Sequence, residues 1–391
     1  MMSRTRRMRN SKRGSAVIFM TVILAALLSI TLTFVYAGRQ QAQLSIADGA
    51  INLAGASVLS EYDYYIQRDY GLFLIQGTDS RLSEYMRDYS GCSVTASAGR
   101  YSTANMEPVQ NQIYAYMKSE GAVREVRGGE TAAGTALPQR TLRHGPTITS
   151  LPSRSLPDKS IVAAAEKLAD NLKKPEVIFR SGTKKYMFDS YILQKFNTAG
   201  SVADSEHFFS GEVEYIICGE LSDQKNKSRT DLALKALRTG LNLSHIYSDP
   251  EKTAAVAAAA EIITPGVLGT VTQAGIATVW AAAEAVNDVK LLNDGRRVPL
   301  VKDASSWALD LDALLDGYNA EKGYITPALD KGRKYDEYLR ILLFIKDDNV
   351  KTARILDLIQ INMRKNHDAD FLIQECATGI SIDAEINGKK L

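Results

Sequence analysis

Residues 16–37 read AVIFMTVILAALLSITLTFVYA, twenty-two positions with no ionisable side chain other than Tyr36. As a helix this run is roughly 33 Å long, which matches a hydrocarbon core of about 30 Å. Twelve of its residues are Val, Ile, Leu or Phe, and together they favour insertion by about 4 to 7 kcal/mol. Arg4, Arg6, Arg7, Arg9, Lys12 and Arg13 precede the run, with no acidic residue before Gly14 and only Arg39 just beyond it. Positive charge concentrated on one flank predicts a cytoplasmic N-terminus and an extracytoplasmic remainder. A cleaved secretory signal has an apolar region of about 7 to 15 residues and a small-x-small site. The longer run here, followed by continuing helical pattern, is expected to stay as an anchor.

The chain has 391 residues, with 47 Lys and Arg against 45 Asp and Glu. Without the six basic residues at its head, 41 basic residues face 45 acidic ones. A mildly acidic body offers no general field for a nucleic-acid backbone, which needs a basic face or stripe. The composition, 45% hydrophobic and 24% charged, is that of folded protein.

Past the membrane the apolar spacing stays helical. Leu44, Ala47, Ile51, Ala54 and Val58 fall on steps of three and four, and Tyr65 keeps the phase. One helix is therefore expected from Ser15 to Tyr70, with Gly71 as its stop. Its first half is apolar all round because lipid surrounds it, and its second half is striped because one side buries against folded protein. Within the span Thr21, Ala25, Ser29, Thr33 and Ala37 recur every fourth residue, a spacing that lets membrane helices approach closely.

These patterns divide the chain into a basic head (1–14), a membrane helix (15–38), an amphipathic stalk (39–74) and a body (75–120 and 159–391). A Gly- and Pro-rich excursion, 121–158, interrupts the body. In the body we expect strand and turn at Cys92 to Thr103 and helix at Ile161 to Leu172. Strands are expected at Val177 to Phe179 and at Glu212 to Gly219. Further helices are expected at Ser228 to Leu241, Asp249 to Ile263, Val267 to Leu292, Tyr335 to Phe344 and Val350 to Arg364. Phe371 to Thr378 and Ile380 to Ile386 read as a hairpin joined at Gly379. The uncharged run Ile262 to Ala283 carries Pro265, Gly266, Gly269 and Gly275, and reads as a broken helix pair rather than a second span.

The search for chemistry is sparse. No GxxxxGK, GxSxG, HExxH or strand-to-helix GxGxxG occurs. His144, His207, His245 and His367 lie far apart, and Cys92, Cys218 and Cys376 make no metal-like spacing. Glu206, His207, Glu212 and Glu214 put acid beside imidazole, although their alternation with apolar residues reads first as a half-buried strand. Trp280, Glu284 and Asp288 share one helical face and read as Trp toward the core with carboxylates at its rim. Asp303-Ala-Ser-Ser-Trp starts like a cation-binding DxSxS but has Trp307 where the last hydroxyl belongs, so no metal is expected there.

Two stretches, Lys12-Arg13-Gly14-Ser15-Ala16-Val17-Ile18-Phe19 and Ile46-Ala47-Asp48-Gly49-Ala50-Ile51-Asn52-Leu53-Ala54-Gly55-Ala56, resemble the N-terminal module of Tad (tight adherence) pilus-assembly proteins of the TadE and TadG type. In prepilins the fifth residue after the cleavage-site Gly is commonly Glu; after Gly14 it is Phe19. The resemblance therefore implies a minor, anchored or assembly role rather than a major filament subunit. SEYDYYIQRDYGLF, GEVEYIICG and YDEYLRILL look like an uncharacterised family of similarly anchored Gram-positive bacterial proteins.

The expected fold is α+β: a long, pilin-like N-terminal transmembrane and stalk helix, then a helix-rich extracytoplasmic domain with a small antiparallel sheet. The expected function is a non-enzymatic, single-pass component of a Tad-like pilus or related surface-assembly system, without cofactor. Its partners would be the lipid bilayer and, through the N-terminal helix, other pilus-assembly membrane proteins or pseudopilins. The alternative is an anchored surface enzyme or ligand-binding protein with a site in the body.

Overall fold

A computed structural model describes residues 10–119, 140–142, 149–154, 156–171, 183–199, 206–266, 268–317, 323–328, 330–386 and 389–390. Arg4, Arg6, Arg7, Arg9, His144, most of the 121–158 excursion and the expected strand at Val177 to Phe179 lie outside the described residues.

The first element, α1, runs Asn10–Ser60 without interruption, roughly 77 Å at the standard rise. It is long and apolar enough to cross a membrane. From Ala16 to Arg39 every residue is exposed, and farther along Ile51, Ala54 and Val58 become buried. Helix continuity past Ser60 fails, against expectation. Tyr62 bridges to Ile75, and Asp63 starts a second helix, α2 (Tyr64–Tyr70), by accepting the Ile66 amide at 3.0 Å. A side-chain cap satisfies a helix-end donor more locally than helix continuation can. Gly71 closes α2 in the left-handed region at φ 67°, the stop expected at that position.

The chain divides into two units. The smaller comprises residues 1–61, 77–99 and 379–391. Here the buried stripe of α1 packs on α3 (Asp79–Ser90). A three-stranded antiparallel sheet, ordered β2 (Val94–Ser97), β4 (Ser381–Ile386), β5 (Lys389–Lys390), completes it. Ser83 of α3 donates to the Ala96 carbonyl and accepts the Ala96 amide, both at 2.9 Å, tying helix to sheet. A Cβ on Gly55 would stand 3.0 Å from Ile382 Cδ1, so the bare backbone of α1 allows β4 to come close.

Among the described residues of the larger unit, residues 62–76 and 100–378, the regular structure is mainly helical, with irregular loops between the helices. Its helices are α4 (Met106–Ser119), α5 (Ile161–Asn171), α6 (Lys184–Lys195), α7 (Glu212–Cys218), α8 (Asp223–Ser248) and α9 (Pro250–Ile263). These are followed by α10 (Gly269–Asn293), the short α11 (Leu311–Leu315), α12 (Tyr335–Ile345) and α13 (Asp348–Asn366). Pro250 occupies the first turn of α9, and Asp249 caps it by accepting the Glu251 amide at 2.9 Å. The break around Pro265 and Gly266 separates α9 from α10, as the sequence implies. One large core joins Phe188, Tyr191, Val213, Ile217, Leu234, Leu342, Ile355 and Ile359; a smaller one gathers around Trp280 and Ile246. A two-stranded ladder pairs β1 (Ile75–Gln76) with β3 (Cys376–Ala377).

Two expectations are corrected. Glu212 to Gly219 is not a strand but helix α7, buried at every position, because both acids find hydrogen-bond donors and no polar face is left for solvent. The C-terminal hairpin does not form. Cys376–Ala377 pairs with Ile75–Gln76, whereas Ser381–Ile386 pairs with Val94–Ser97 and with Lys389–Lys390. Distant strands with unpaired ladders offered both segments better partners than each other. The excursion also has fixed points: Leu142 donates to the Leu221 carbonyl at 2.9 Å, Ser153 N to Asp357 at 3.0 Å, and Leu151 is buried.

Candidate functional site

A polar concavity of the larger unit, a cavity of about 250 Å³, lies where the end of α2, the loop before α7 and the last turns of α13 meet. Two of its lining residues, His207 and Asn362, are held by Glu212, the first residue of α7, whose side chain is wholly buried. A buried carboxylate must be hydrogen-bonded. Glu212 accepts from Asn362 Nδ2 at 2.7 Å, from the Asn197 amide at 3.2 Å and from His207 Nδ1 at 2.7 Å. Because an ionised carboxylate only accepts, His207 carries its hydrogen on Nδ1.

The orientation of Asn362 follows from its neighbours. The Phe208 amide donates to Asn362 Oδ1 at 2.8 Å, which turns Nδ2 toward Glu212 and toward the Tyr70 hydroxyl at 2.9 Å. The Tyr70 oxygen is therefore an acceptor in that bond. Its own O–H finds no acceptor among the described residues, although the ring is 3% exposed and lines the cavity. Burial, and then the charge of Glu212, hold Tyr70 well above the ordinary phenol range, so it stays a donor.

The mouth is lined by charged and planar groups. Arg68 grips Asp69 through two hydrogen bonds, at 2.5 and 2.9 Å, and lies 3.8 Å from Glu206. His367 stacks on Tyr65 with centroids 3.7 Å apart, and the Arg68 guanidinium lies over the same Tyr65 ring at 5.4 Å. Asn366 donates to the Glu206 carbonyl. The arrangement offers donors and acceptors in alternation beside an imidazole held by a carboxylate. No group of three or more His, Cys, Asp or Glu with metal-binding geometry occurs among the described residues.

Of the residues singled out from sequence, Glu206, His207 and Glu212 come together here. Glu214 does not. It faces the opposite direction, accepting the Ala199 amide at 3.0 Å and the Tyr335 hydroxyl at 2.9 Å, and burial pushes it up to about 7. Sequence reasoning missed Arg68, Asp69, Tyr70, Asn362 and Asn366; the dipeptide-scale patterns around them carry no motif, and 292 residues separate Tyr70 from Asn362.

Trp280, Glu284 and Asp288 do share a face of α10, but the carboxylates are not at a rim. Glu284 and Asp288 are fully buried in an ion network. Lys302 contacts Glu284 and lies 2.6 Å from Asp288, while Arg238 of α8 reaches Asp288 at 2.9 Å. Glu284 also accepts the Ala308 and Leu309 amides at 3.0 and 2.9 Å. Burial raises Glu284; for Asp288 burial also pushes upward, but Arg238 and Lys302 outweigh it and hold the acid below its usual range. The network fastens the 298–309 loop to the α8–α10 pair. Asp303 is consumed locally by Ser305, Ser306 and Lys331.

Along α1, Thr21, Ala25, Ser29, Thr33 and Ala37 are exposed. The hydroxyls of Thr21, Ser29 and Thr33 donate back to the carbonyls of Ile18, Ala25 and Ser29 at 2.8 Å, so none needs a partner to be satisfied. In the stalk, Ile51, Ala54 and Val58 are buried and Leu44 and Ala47 half-buried. Cys92, Cys218 and Cys376 are free thiols; burial pushes Cys218 up to about 11, which leaves it unreactive.

Compared with known proteins, residues 145–388 match a family described as a family of unknown function (DUF5702). No curated protein matches the chain, and no solved structure does.

Proposed function

We propose, starting from the fact that the chain belongs to the DUF5702 family, that it is a single-pass membrane protein displaying its body outside the cytoplasmic membrane. It would act there as a non-enzymatic component of a Tad-like pilus or related surface-assembly system. The observation that supports this reading is the change in character along α1. Its first half is apolar and exposed on every side, and its second half buries one stripe, Ile51, Ala54 and Val58 with Gly55 beside them. A helix surrounded by water would not keep twelve large apolar side chains exposed, whereas lipid accepts them. The basic head orients it with the N-terminus inside. The likeness of the head and stalk to TadE and TadG proteins supports the assembly role.

Protease added to intact cells should remove the portion beyond residue 61 while the membrane retains the head of α1. A C-terminal portion spared by the protease, or recovered as free cytosolic material, would refute display. For the assembly role, Ala25→Leu together with Ser29→Leu should weaken crosslinking between membrane helices. Undiminished crosslinking would discard that part. A second reading, ligand binding by the body, is favoured by the polar cavity lined by Arg68, Tyr70, His207 and Asn362.

A further inference from the structure

We infer that the turn between α9 and α10 dips into the hydrocarbon boundary of a lipid bilayer, a shallow contact separate from any spanning by α1. The inference rests on the surface of the larger unit and needs neither the anchor nor the assembly role proposed above.

Exposure supplies the first argument. Ile262, Ile263, Leu268 and Val271 flank the turn, and each is 57 to 83% exposed. A soluble surface tolerates single apolar side chains, but four of them at one end of a helical hairpin mark a contact site. Charge supplies the second. Of the ionisable residues between Lys252 and Lys290, Glu284 and Asp288 are buried in the ion network, and Glu261 alone is exposed. A partner recognised through ion pairs has little here to grip, whereas hydrocarbon accepts an uncharged aliphatic surface.

The polar groups of the turn point the same way. The Thr264 amide donates to the Ala260 carbonyl at 2.8 Å, the Gly269 amide to Gly266 at 2.9 Å and the Thr272 amide to Leu268 at 3.3 Å. The Thr272 hydroxyl donates to Thr264 Oγ1 at 3.1 Å, and that of Thr278 to the Ala274 carbonyl at 2.7 Å. Lipid admits such groups only when the segment satisfies them itself, the device that α1 uses at Thr21, Ser29 and Thr33. Size decides between lipid and a second copy of the chain. Burying four aliphatic side chains at roughly 60–120 Å² each removes roughly 250–500 Å² from water, against about 800 Å² per partner in a stable protein interface. A bilayer sets no such minimum, because its surface is continuous and the tip need only enter it. Neither α9 nor α10 spans, since α1 is the one helix long and apolar enough among the described residues. The exposed Glu261 carboxylate, next to Ile262, keeps the entry shallow.

The experiment places the full-length chain in nanodiscs of phosphatidylcholine and phosphatidylglycerol, with and without doxyl-labelled lipid. In a Cys92→Ser background, which leaves only the buried Cys218 and Cys376, a nitrobenzoxadiazole label is attached in turn at Ile263→Cys, Val271→Cys, Glu251→Cys and Leu28→Cys. Glu251 is exposed at the other end of α9, roughly 18 Å along the helix from Ile263. Doxyl lipid should quench the labels at Ile263→Cys and Val271→Cys about threefold more than the label at Glu251→Cys. Leu268→Asp changes an exposed side chain and should leave circular dichroism unaltered while cutting the quenching at Ile263→Cys about threefold. Equal quenching at Ile263→Cys and Glu251→Cys, or an undiminished signal with Leu268→Asp, would overturn the inference. So would an intermolecular disulfide through unlabelled Ile263→Cys with no lipid quenching at that position, which would put a second copy on the tip. The label at Leu28→Cys scores the anchor separately. Quenching there without quenching at Ile263→Cys refutes this inference and leaves the anchor standing; the reverse refutes the anchor alone.

Discussion

A methyl group added at Gly240 gives the sharpest test of how the larger unit is packed. Gly240 lies in α8, where α5 crosses it, and its Cβ would stand 2.5 Å from the Cβ of Ala169. Two effects then compete. Replacing Gly by Ala inside a helix favours folding by about 1 kcal/mol. Forcing a methyl into a rigid methyl, which has no rotamer to escape into, costs roughly 1 to 3 kcal/mol. Gly240→Ala should therefore be neutral to destabilising by about 2 kcal/mol, the reverse of the usual sign. In an Ala169→Gly background the clash is gone. The same substitution should then stabilise by about 1 to 2 kcal/mol, from propensity and a restored buried methyl. Urea unfolding of the four proteins closes a double-mutant cycle, and a coupling near 2 kcal/mol is expected. If Gly240→Ala stabilises equally in both backgrounds, α5 and α8 are not in backbone-close contact and the packing described here is wrong.

The ion network and one buried acid yield two more predictions. Lys302→Met should destabilise by about 3 to 5 kcal/mol, since it strands Glu284 and weakens the neutralisation of Asp288. Adding Glu284→Gln should recover part of the loss in a thermal melt, and no recovery would separate the two residues. Glu214 has a folded-state value of about 7 against 4.5 for the unconstrained group. Between those values the folded chain binds more protons than the unfolded one, so stability falls as pH rises from about 4.5 to about 7, by roughly 3 kcal/mol, and levels above. Asp189, pushed up by burial to about 6, acts in the same direction. Glu214→Gln should flatten most of this slope in denaturant titrations across the window, and an unaltered slope would show that Glu214 is not the group responsible.

Local and periodic features were legible before any fold was known. The apolar run from Ala16 to Ala37, the stripe of Ile51, Ala54 and Val58, the stop at Gly71, the Asp249-Pro250 start and the break at Pro265 each depend on neighbours within a turn or two. Helix capping, propensity and amphipathic period act over that range, so the sequence alone placed the apolar N-terminal helix and the helices at Ile161, Ser228, Asp249, Val267, Tyr335 and Val350, but not those at Asp79–Ser90, Met106–Ser119, Lys184–Lys195 or Glu212–Cys218. What remained hidden was decided by partners far along the chain. Glu212 to Cys218 alternates like a strand, yet it is a buried helix because Asn197, Ala199, Tyr335 and Asn362 arrive to satisfy its two acids. Glu284 and Asp288 look like rim residues until Lys302 and Arg238 close over them. Ser381 to Ile386 could pair with any strand of matching register, and Val94 to Ser97 was nearest in space rather than in sequence. The cavity floor depends on the same fact, for a hydrogen bond between Asn362 and Tyr70 exists only once tertiary packing has brought them within 2.9 Å. Short-range interactions are encoded residue by residue; the desolvation of a charge is a property of everything that surrounds it.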